Sequence, residues 1–400
     1  MPRHIIIVGG GVGGTIVANL LARTLRPDEA KVTLIDSTGK HVYMPGWLYV
    51  PFQENGSDTS HLVHNERSLL SRRVKLVTGE VTNIDTARRE LHVKSGTDSD
   101  EIIGTGGAVD ATYAFDYLVL ATGARLAPED LPGLTTGPAN WHDFYSAEGA
   151  MRLKTALREF SGGNLVVAVG GVPYRCPPAP LEFTFLVDEW LRRVGLRERT
   201  HLQYLFPLGR VFPIESVAEV AAPLLDERKV TSTVFFNAEE VDTEKKIIRS
   251  LEGQEVPYDL LVMIPPHRGS RLVEASGLGD AQGWLGTDRF TLEVKGQEHI
   301  YAIGDATDLP VSKSGSAAHF EAKVLANRIA ATFRGEEPDP AKANYDGEVM
   351  CFLETGNNTA TQLVFNYEHP PKPPRPSLYY HVEKQLFNRA YWHIVPQGLV

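Results

Sequence analysis

Four hundred residues exceed one ordinary domain and predict two or three, with ample chain to bury a large core. A formal net charge of -10, with Lys and Arg nowhere clustered, argues against a nucleic-acid partner, which would need basic side chains to neutralise phosphates. Two cysteines, Cys176 and Cys351, are too few for a disulfide scaffold or a zinc site made of cysteines, and no metal site is expected.

The opening "MPRHIIIVGGG" enters a strand at once, so an ordinary secretory signal is not expected. No apolar run approaches the roughly eighteen residues of a membrane span, which leaves surface attachment open. "HIIIVGGGVGGTIVANLLARTL" reads as an apolar strand, a glycine turn and a helix. Gly9, Gly11 and Gly14 fit G-x-G-x-x-G, which gives a tight turn, a close backbone approach to a pyrophosphate and close helix packing. "KVTLID" follows as the second strand and ends in Asp36, 36 − 14 = 22 residues after the last glycine, where a carboxylate can accept from a ribose hydroxyl. Alternating strands around a polar stretch at 95–110 predict an antiparallel insertion with a solvated tip.

"FDYLVLATGA" is a further buried strand, ending in Ala121, Thr122 and Gly123. "GARLAPEDLPGL" then reads as a linker, and residues 146–160 as a helix. "NLVVAVGGVPYRCPPAP" starts like a second dinucleotide turn, but the three glycine positions hold Gly170, Val172 and Arg175, and two prolines remove donors downstream. This second site therefore has the frame of a nicotinamide domain without its phosphate-binding turn. Cys176 stands instead before the helix "PPAPLEFTFLVDEWLRRVGL", where a helix N-terminus would favour a thiolate. An inert core thiol is the alternative; the setting of Cys351 in the Gly/Asn-rich "GEVMCFLETGNNTA" favours reactivity. "EHIYAIGDAT" is a late strand ending in Gly304 and Asp305.

The glycine motif, the Ala-Thr-Gly strand and the late Gly-Asp together resemble the FAD-binding half of the two-dinucleotide-binding-domain flavoproteins. The resemblance implies an α/β fold of two Rossmann-like domains, glutathione-reductase-like, with FAD as cofactor and Asp305 on its ribityl chain. The expected FAD domain is discontinuous, 1–123 and 285–345. The second Rossmann-like domain covers 124–284, and a C-terminal segment 346–400 carries Cys351 and an amphipathic helix.

"YRCPPAPLE", "YDLLVMIPPHRG", "YAIGDATDLPVSKSG", "CFLETG" and "HVEKQLFNRAYW" sharpen this to a resemblance to the sulfide:quinone oxidoreductases, with the flavoprotein subunit of flavocytochrome c sulfide dehydrogenase as a relative. The resemblance implies that Cys176 and Cys351 are a redox pair beside the flavin, with Cys351 nearer flavin C4a. It gives Glu182 a proton-moving role and places Lys384 near the flavin N1 edge, although a first-turn acid and a solvated helix charge would read the same from sequence. Pro45 falls against the flavin ring and Lys313, in "SKSG" rather than the family's Pro-Lys-Thr-Gly, falls among the cofactor residues. The third cysteine of many bacterial members is missing, which implies non-covalent FAD.

Sulfide and a membrane quinone are the implied substrates, with oligomeric state left open. Residues 378–395 place Tyr379, Val382, Leu386, Phe387, Ala390, Tyr391 and Ile394 on one helical face and His381, Lys384, Gln385, Asn388 and Arg389 opposite. Such a stripe suits a core helix or an interfacial one. The resemblance favours the second, making the chain a peripheral membrane protein. The alternatives are a sulfide:cytochrome c reductase subunit and a type II NADH:quinone dehydrogenase, the latter weakened by the missing glycine turn.

Overall fold

The computed structural model describes residues 2–53, 58–95, 110–136 and 140–399. The chain begins with β1 (Arg3–Val8), α1 (Val12–Thr24) and β2 (Ala30–Asp36), then β3 (Val74–Asp85), β4 (Glu90–Ser95), β5 (Ala111–Ala114) and β6 (Tyr117–Leu120). After α2 (Ala147–Glu159) come β7 (Gly163–Val169), α3 (Ala179–Arg193), β8 (Thr200–Leu205), β9 (Thr231–Thr233) and β10 (Leu260–Ile264). The last part holds β11 (Ile300–Ala302), α4 (Gly315–Arg334), β12 (Val349–Gly356), β13 (Thr359–Phe365) and α5 (Leu378–Ile394).

Two sheets organise these elements. The larger runs β11-β6-β1-β2-β3-β4-β5, parallel through β3 and antiparallel beyond it. Ile5, Ile6, Ile7 and Val8 of β1 are all buried, as a central parallel strand covered on both faces requires. The antiparallel strands β4 and β5 realise the expected insertion, although its tip, 96–109, lies outside the described residues. The smaller sheet runs β9-β8-β7-β10, all parallel, and a three-stranded antiparallel sheet accompanies it.

One core fills the space between β1, β2, α1 and α4, and a second surrounds β7, α3 and β8. The C-terminal segment joins both. Hairpin β12–β13 contributes Leu353 and Leu363 to the second core, while Tyr391 and Val395 enter the first. Asn19 of α1 donates to the carbonyl of Pro396 at 2.9 Å, fastening the chain end to the first helix.

The expected apolar face of α5 is divided by the structure. Tyr379, Val382 and Leu386 are exposed together with Leu378, whereas Tyr391 is buried and Phe387 and Ile394 pack on the first core. The polar side turns inward along with them: Lys384 is buried, and Asn388 accepts a hydrogen bond from the Tyr43 hydroxyl. The sequence-based arrangement, one apolar face against a polar one, therefore does not hold: Lys384, Asn388 and Tyr391, at i, i+4 and i+7, share one inward face. Tyr391 is buried because it meets the His41 ring nitrogen Nε2 at 2.8 Å and satisfies its hydroxyl there.

Candidate active site

The first glycine turn is built for a backbone-lined ligand. Gly9 has φ +106°, and a Cβ there would lie 2.3 Å from the Ala121 carbonyl oxygen. A Cβ on Gly14 would lie 1.9 Å from the Gly9 carbonyl oxygen, so only glycine lets α1 pack this closely on the turn. Gly11 behaves differently. It caps α1 without a side-chain hydrogen bond, and a Cβ on it would meet nothing within 4 Å. The free N–H groups of the helix start thus face open space, the arrangement that receives a pyrophosphate.

A cleft of about 390 Å³ continues from this turn, lined by Gly9, Asp36, Glu80, Thr82, Thr122 and Arg271. Asp36 is held at its rim, with Oδ2 accepting from Gly10 N at 2.9 Å and Oδ1 from Thr38 and Gly39. Two polar atoms, Thr122 Oγ1 and Asp305 Oδ1, are buried without a hydrogen-bond partner. Buried polar atoms are ordinarily paired, so both fit the hydroxyls and heteroatoms of a bound dinucleotide. Burial also pushes the Asp305 carboxyl above its ordinary range, against the pull of Arg175 and Lys313. Gly123 and Gly304 turn the two strand ends at φ +65° and +69°.

Lys313 serves this cradle indirectly. Its ammonium donates to the carbonyls of Asp305 (3.1 Å) and Thr307 (2.6 Å) and lies 4.0 Å from the Trp284 ring centre, so it braces the turn that presents Asp305. Pro45 lies on the exposed start of the 3-10 helix Met44–Phe52.

The second turn departs from the first in length as well as in residues. β1 ends at Val8 and α1 starts at Val12, but β7 ends at Val169 and α3 starts only at Ala179. The intervening loop is tied by its own contacts: Arg175 donates to the carbonyls of Ala124 and Tyr145, and Cys176 N donates to Lys313 O at 2.7 Å. Cys176 itself takes φ +49°, a conformation uncommon for a non-glycine residue and concentrated at functional sites.

Cys176 and Cys351 come from distant parts of the chain, the α3 entrance and β12, and feel each other electrostatically. Both are free thiols with some open surface. The expectation that the helix would favour a Cys176 thiolate is overturned. Burial, the Glu182 carboxylate and Cys351 push its thiol up, and Lys384 and the Ala179 N–H offset them only in part. Burial likewise raises the Cys351 thiol to about 12, against a hydrogen bond with Ser314.

Glu182 and Lys384 meet at the same place. Glu182 lies in the first turn of α3, yet it is buried and its Oε1 accepts from both Lys384 Nζ and Glu354 N (2.8 Å). Burial raises the Glu182 carboxyl and opposes the Lys384 ammonium, but Glu182, Tyr49 and Glu354 together hold that ammonium well above its ordinary value. Lys384 is therefore a firmly protonated cation inside the protein, not a solvated charge on a helix edge.

Three groups in this cluster escaped the sequence reading. The Tyr49 hydroxyl donates to Glu354 Oε1 at 3.4 Å, and His381 Nδ1 lies 3.2 and 3.0 Å from the two Glu354 carboxylate oxygens. Glu354 stands in the quoted "CFLETG" and His381 in "HVEKQ", but a lone acid and a lone histidine carry no spacing signal. Glu321 of α4 was also missed: buried behind Gly304, whose N–H it accepts, its carboxyl is raised by burial to about 7.

Comparison with known proteins matches the pyridine nucleotide-disulphide oxidoreductase model over residues 3–324. The mitochondrial sulfide:quinone oxidoreductase of Mus musculus is 26% identical over 99% of this chain and 86% of its own length. A type II NADH:quinone oxidoreductase of Staphylococcus aureus is 23% identical over 99% of this chain and 97% of its own. Among solved structures, the sulfide:quinone oxidoreductase of Aquifex aeolicus superposes with a TM-score of 0.81 at 21% identity, covering 99% of this chain and 92% of that one. The chain belongs to the pyridine nucleotide-disulphide oxidoreductase family, and within it groups with the sulfide:quinone oxidoreductases.

Proposed function

We propose that this chain is an FAD-dependent sulfide:quinone oxidoreductase in which Cys176 and Cys351 form the sulfide-oxidising pair. The observation that carries the reading is the meeting of both cysteines with the buried Glu182–Lys384 pair, in a loop that has lost the second dinucleotide turn. FAD would be held without a covalent link by the Gly9–Gly14 turn, Asp36, Thr122 and Asp305. When bound, it supplies a two-electron acceptor for thiol sulfur and an electron donor for quinone.

The residues themselves perform the sulfur chemistry. Hydrosulfide attacks the oxidised Cys176–Cys351 pair, and one S–S bond replaces another, leaving a persulfide on one cysteine and a thiolate on its partner. Thiols raised by burial leave the pair poorly inclined to release a thiolate unaided. Lys384 is the nearby charge that lowers both, so it favours the thiolate this step creates. Glu182, held close to both sulfurs, is placed to take and return the proton.

The same reading seats α5 on a membrane surface. No helix among the described residues is long and apolar enough to cross a membrane, but Leu378, Tyr379, Val382 and Leu386 present an apolar patch at 45–68% exposure. The polar side of that helix turn reaches the cysteine cluster, so a quinone drawn from lipid would arrive beside it.

Anaerobic titration tests the whole reading. Sulfide should bleach the yellow protein, NADH should not, and quinone should restore the colour. Cys176→Ser or Cys351→Ser should abolish bleaching while FAD stays bound. Bleaching by NADH, or a wild type indifferent to sulfide, would sink it.

A further inference from the structure

Sulfide oxidation by a quinone is not proton-neutral. Hydrosulfide loses two electrons and one proton to become sulfane sulfur, held as the cysteine persulfide, while quinone takes two electrons and two protons to become quinol. The balance, HS⁻ + quinone + H⁺ → sulfane sulfur + quinol, calls for one proton from solvent per turnover. Sulfide gives up its proton at the buried cysteines and quinone takes up two at the cofactor edge, so protons need a route between these groups and solvent.

A continuous chain of titratable groups leads out of the cluster. Glu182 accepts from Lys384, whose ammonium lies 5.7 Å from the Tyr49 ring centre; the Tyr49 hydroxyl donates to Glu354, and Glu354 meets His381. Glu182, Lys384 and Glu354 are buried at 4%, 9% and 1% side-chain exposure, and His381 at the end reaches solvent at 22%. The Glu182–Lys384 pair already balances its own charge, so burying a second carboxylate at Glu354 adds desolvation cost without being needed for neutrality. The partly exposed imidazole at the far end is a side chain that can both take and give a proton at the solvent boundary.

We propose that His381, Glu354 and Tyr49 form the outer half of a proton relay that, with Lys384 and Glu182, carries protons between solvent and the cysteine and cofactor edge. The assignment rests on the sulfide:quinone reading for its direction. The charged group that meets His381 is Glu354 from β12, and Lys384 follows three residues on along its own helix.

His381→Gln keeps a side chain able to bond Glu354 but removes the proton carrier. Sulfide:quinone turnover should fall at least about tenfold and recover in part with added imidazole, which replaces the lost carrier. His393→Gln, an exposed histidine on the same helix, should match the wild type with or without imidazole. Glu354→Gln removes the carboxylate between His381 and the cluster, so it should lower turnover as far and, combined with His381→Gln, abolish the imidazole rescue. Turnover of His381→Gln within about twofold of wild type, a loss that imidazole leaves untouched, or a rescue that survives Glu354→Gln would each overturn the relay. A wild type that sulfide fails to bleach would instead overturn the functional reading.

Discussion

Lys384→Met is the sharpest perturbation of the buried cluster, since methionine keeps a similar length and deletes the cation. The variant leaves Glu182 buried with the Glu354 N–H as its remaining donor. Removing one partner of a buried ion pair costs about 3–5 kcal/mol when the other stays charged. Spread over 400 residues, with an unfolding entropy of roughly 2.1 cal/mol/K each, that is a melting-temperature drop of about 4–6 °C. The cost depends on pH with a definite sign. Burial holds the Glu182 carboxyl above its ordinary range and Lys384 pulls it down, so losing the lysine raises it further. An acid raised on folding contributes stability below its unfolded pKa and loses it as pH climbs through the folded one. The deficit of Lys384→Met should therefore be small in mildly acidic buffer, where Glu182 is neutral, and full in alkaline buffer. Glu182→Gln/Lys384→Met should recover most of it, because no charge is then left unpaired. Thermal melts of the three proteins across pH check this. A deficit constant with pH, or a double variant less stable than the single one, would refute the reasoning.

Glu321 makes a second pH prediction, in the apoprotein. Its carboxyl is raised from 4.5 to about 7 by burial, which at ~1.36 kcal/mol per unit puts about 3 kcal/mol at stake. The wild type should lose that stability as pH rises between those values, and Glu321→Gln should not, so parallel melting curves would count against it. Gly11→Val should fold and melt normally, because its side chain enters open space, yet purify with little flavin colour because that space belongs to the pyrophosphate. Leu386→Glu and Val382→Glu should reduce co-sedimentation with lipid vesicles while leaving turnover with a water-soluble quinone near wild type; unchanged sedimentation would remove the interfacial role from α5.

The first dinucleotide turn was legible because its chemistry is local. Gly9, Gly11 and Gly14 follow a spacing contained in six residues, and the apolar runs of β1 and β6 announce central parallel strands. The Cys176 loop was legible as a departure: Val172 and Arg175 cannot serve where glycines must, and the late start of α3 at Ala179 agrees. What escaped was the electrostatics of that loop. A helix N-terminus beside Cys176 suggested an easy thiolate, but burial, the neighbouring Glu182 and the distant Cys351 push the thiol up.

Helix α5 carries the more general lesson. Its sequence pattern is amphipathic, and amphipathicity alone says which residues share a face, not which face turns inward. Two partners decide it. Glu182 gives Lys384 an inward counter-charge, and Tyr43 offers Asn388 a buried hydrogen bond, so the polar side faces the protein over the first turns and Leu378, Val382 and Leu386 are left outside. On the same face, at i+7 from Lys384, Tyr391 finds His41 and Tyr43, so one edge of the apolar stripe enters the core beside the polar groups. The inward lysine and the outward leucines are thus one arrangement: the groups that complete the cysteine cluster oblige the same helix to expose its apolar patch. A substitution that frees Lys384 from Glu182 should loosen the presentation of that patch, and vesicle co-sedimentation of Glu182→Gln below that of the wild type would show it.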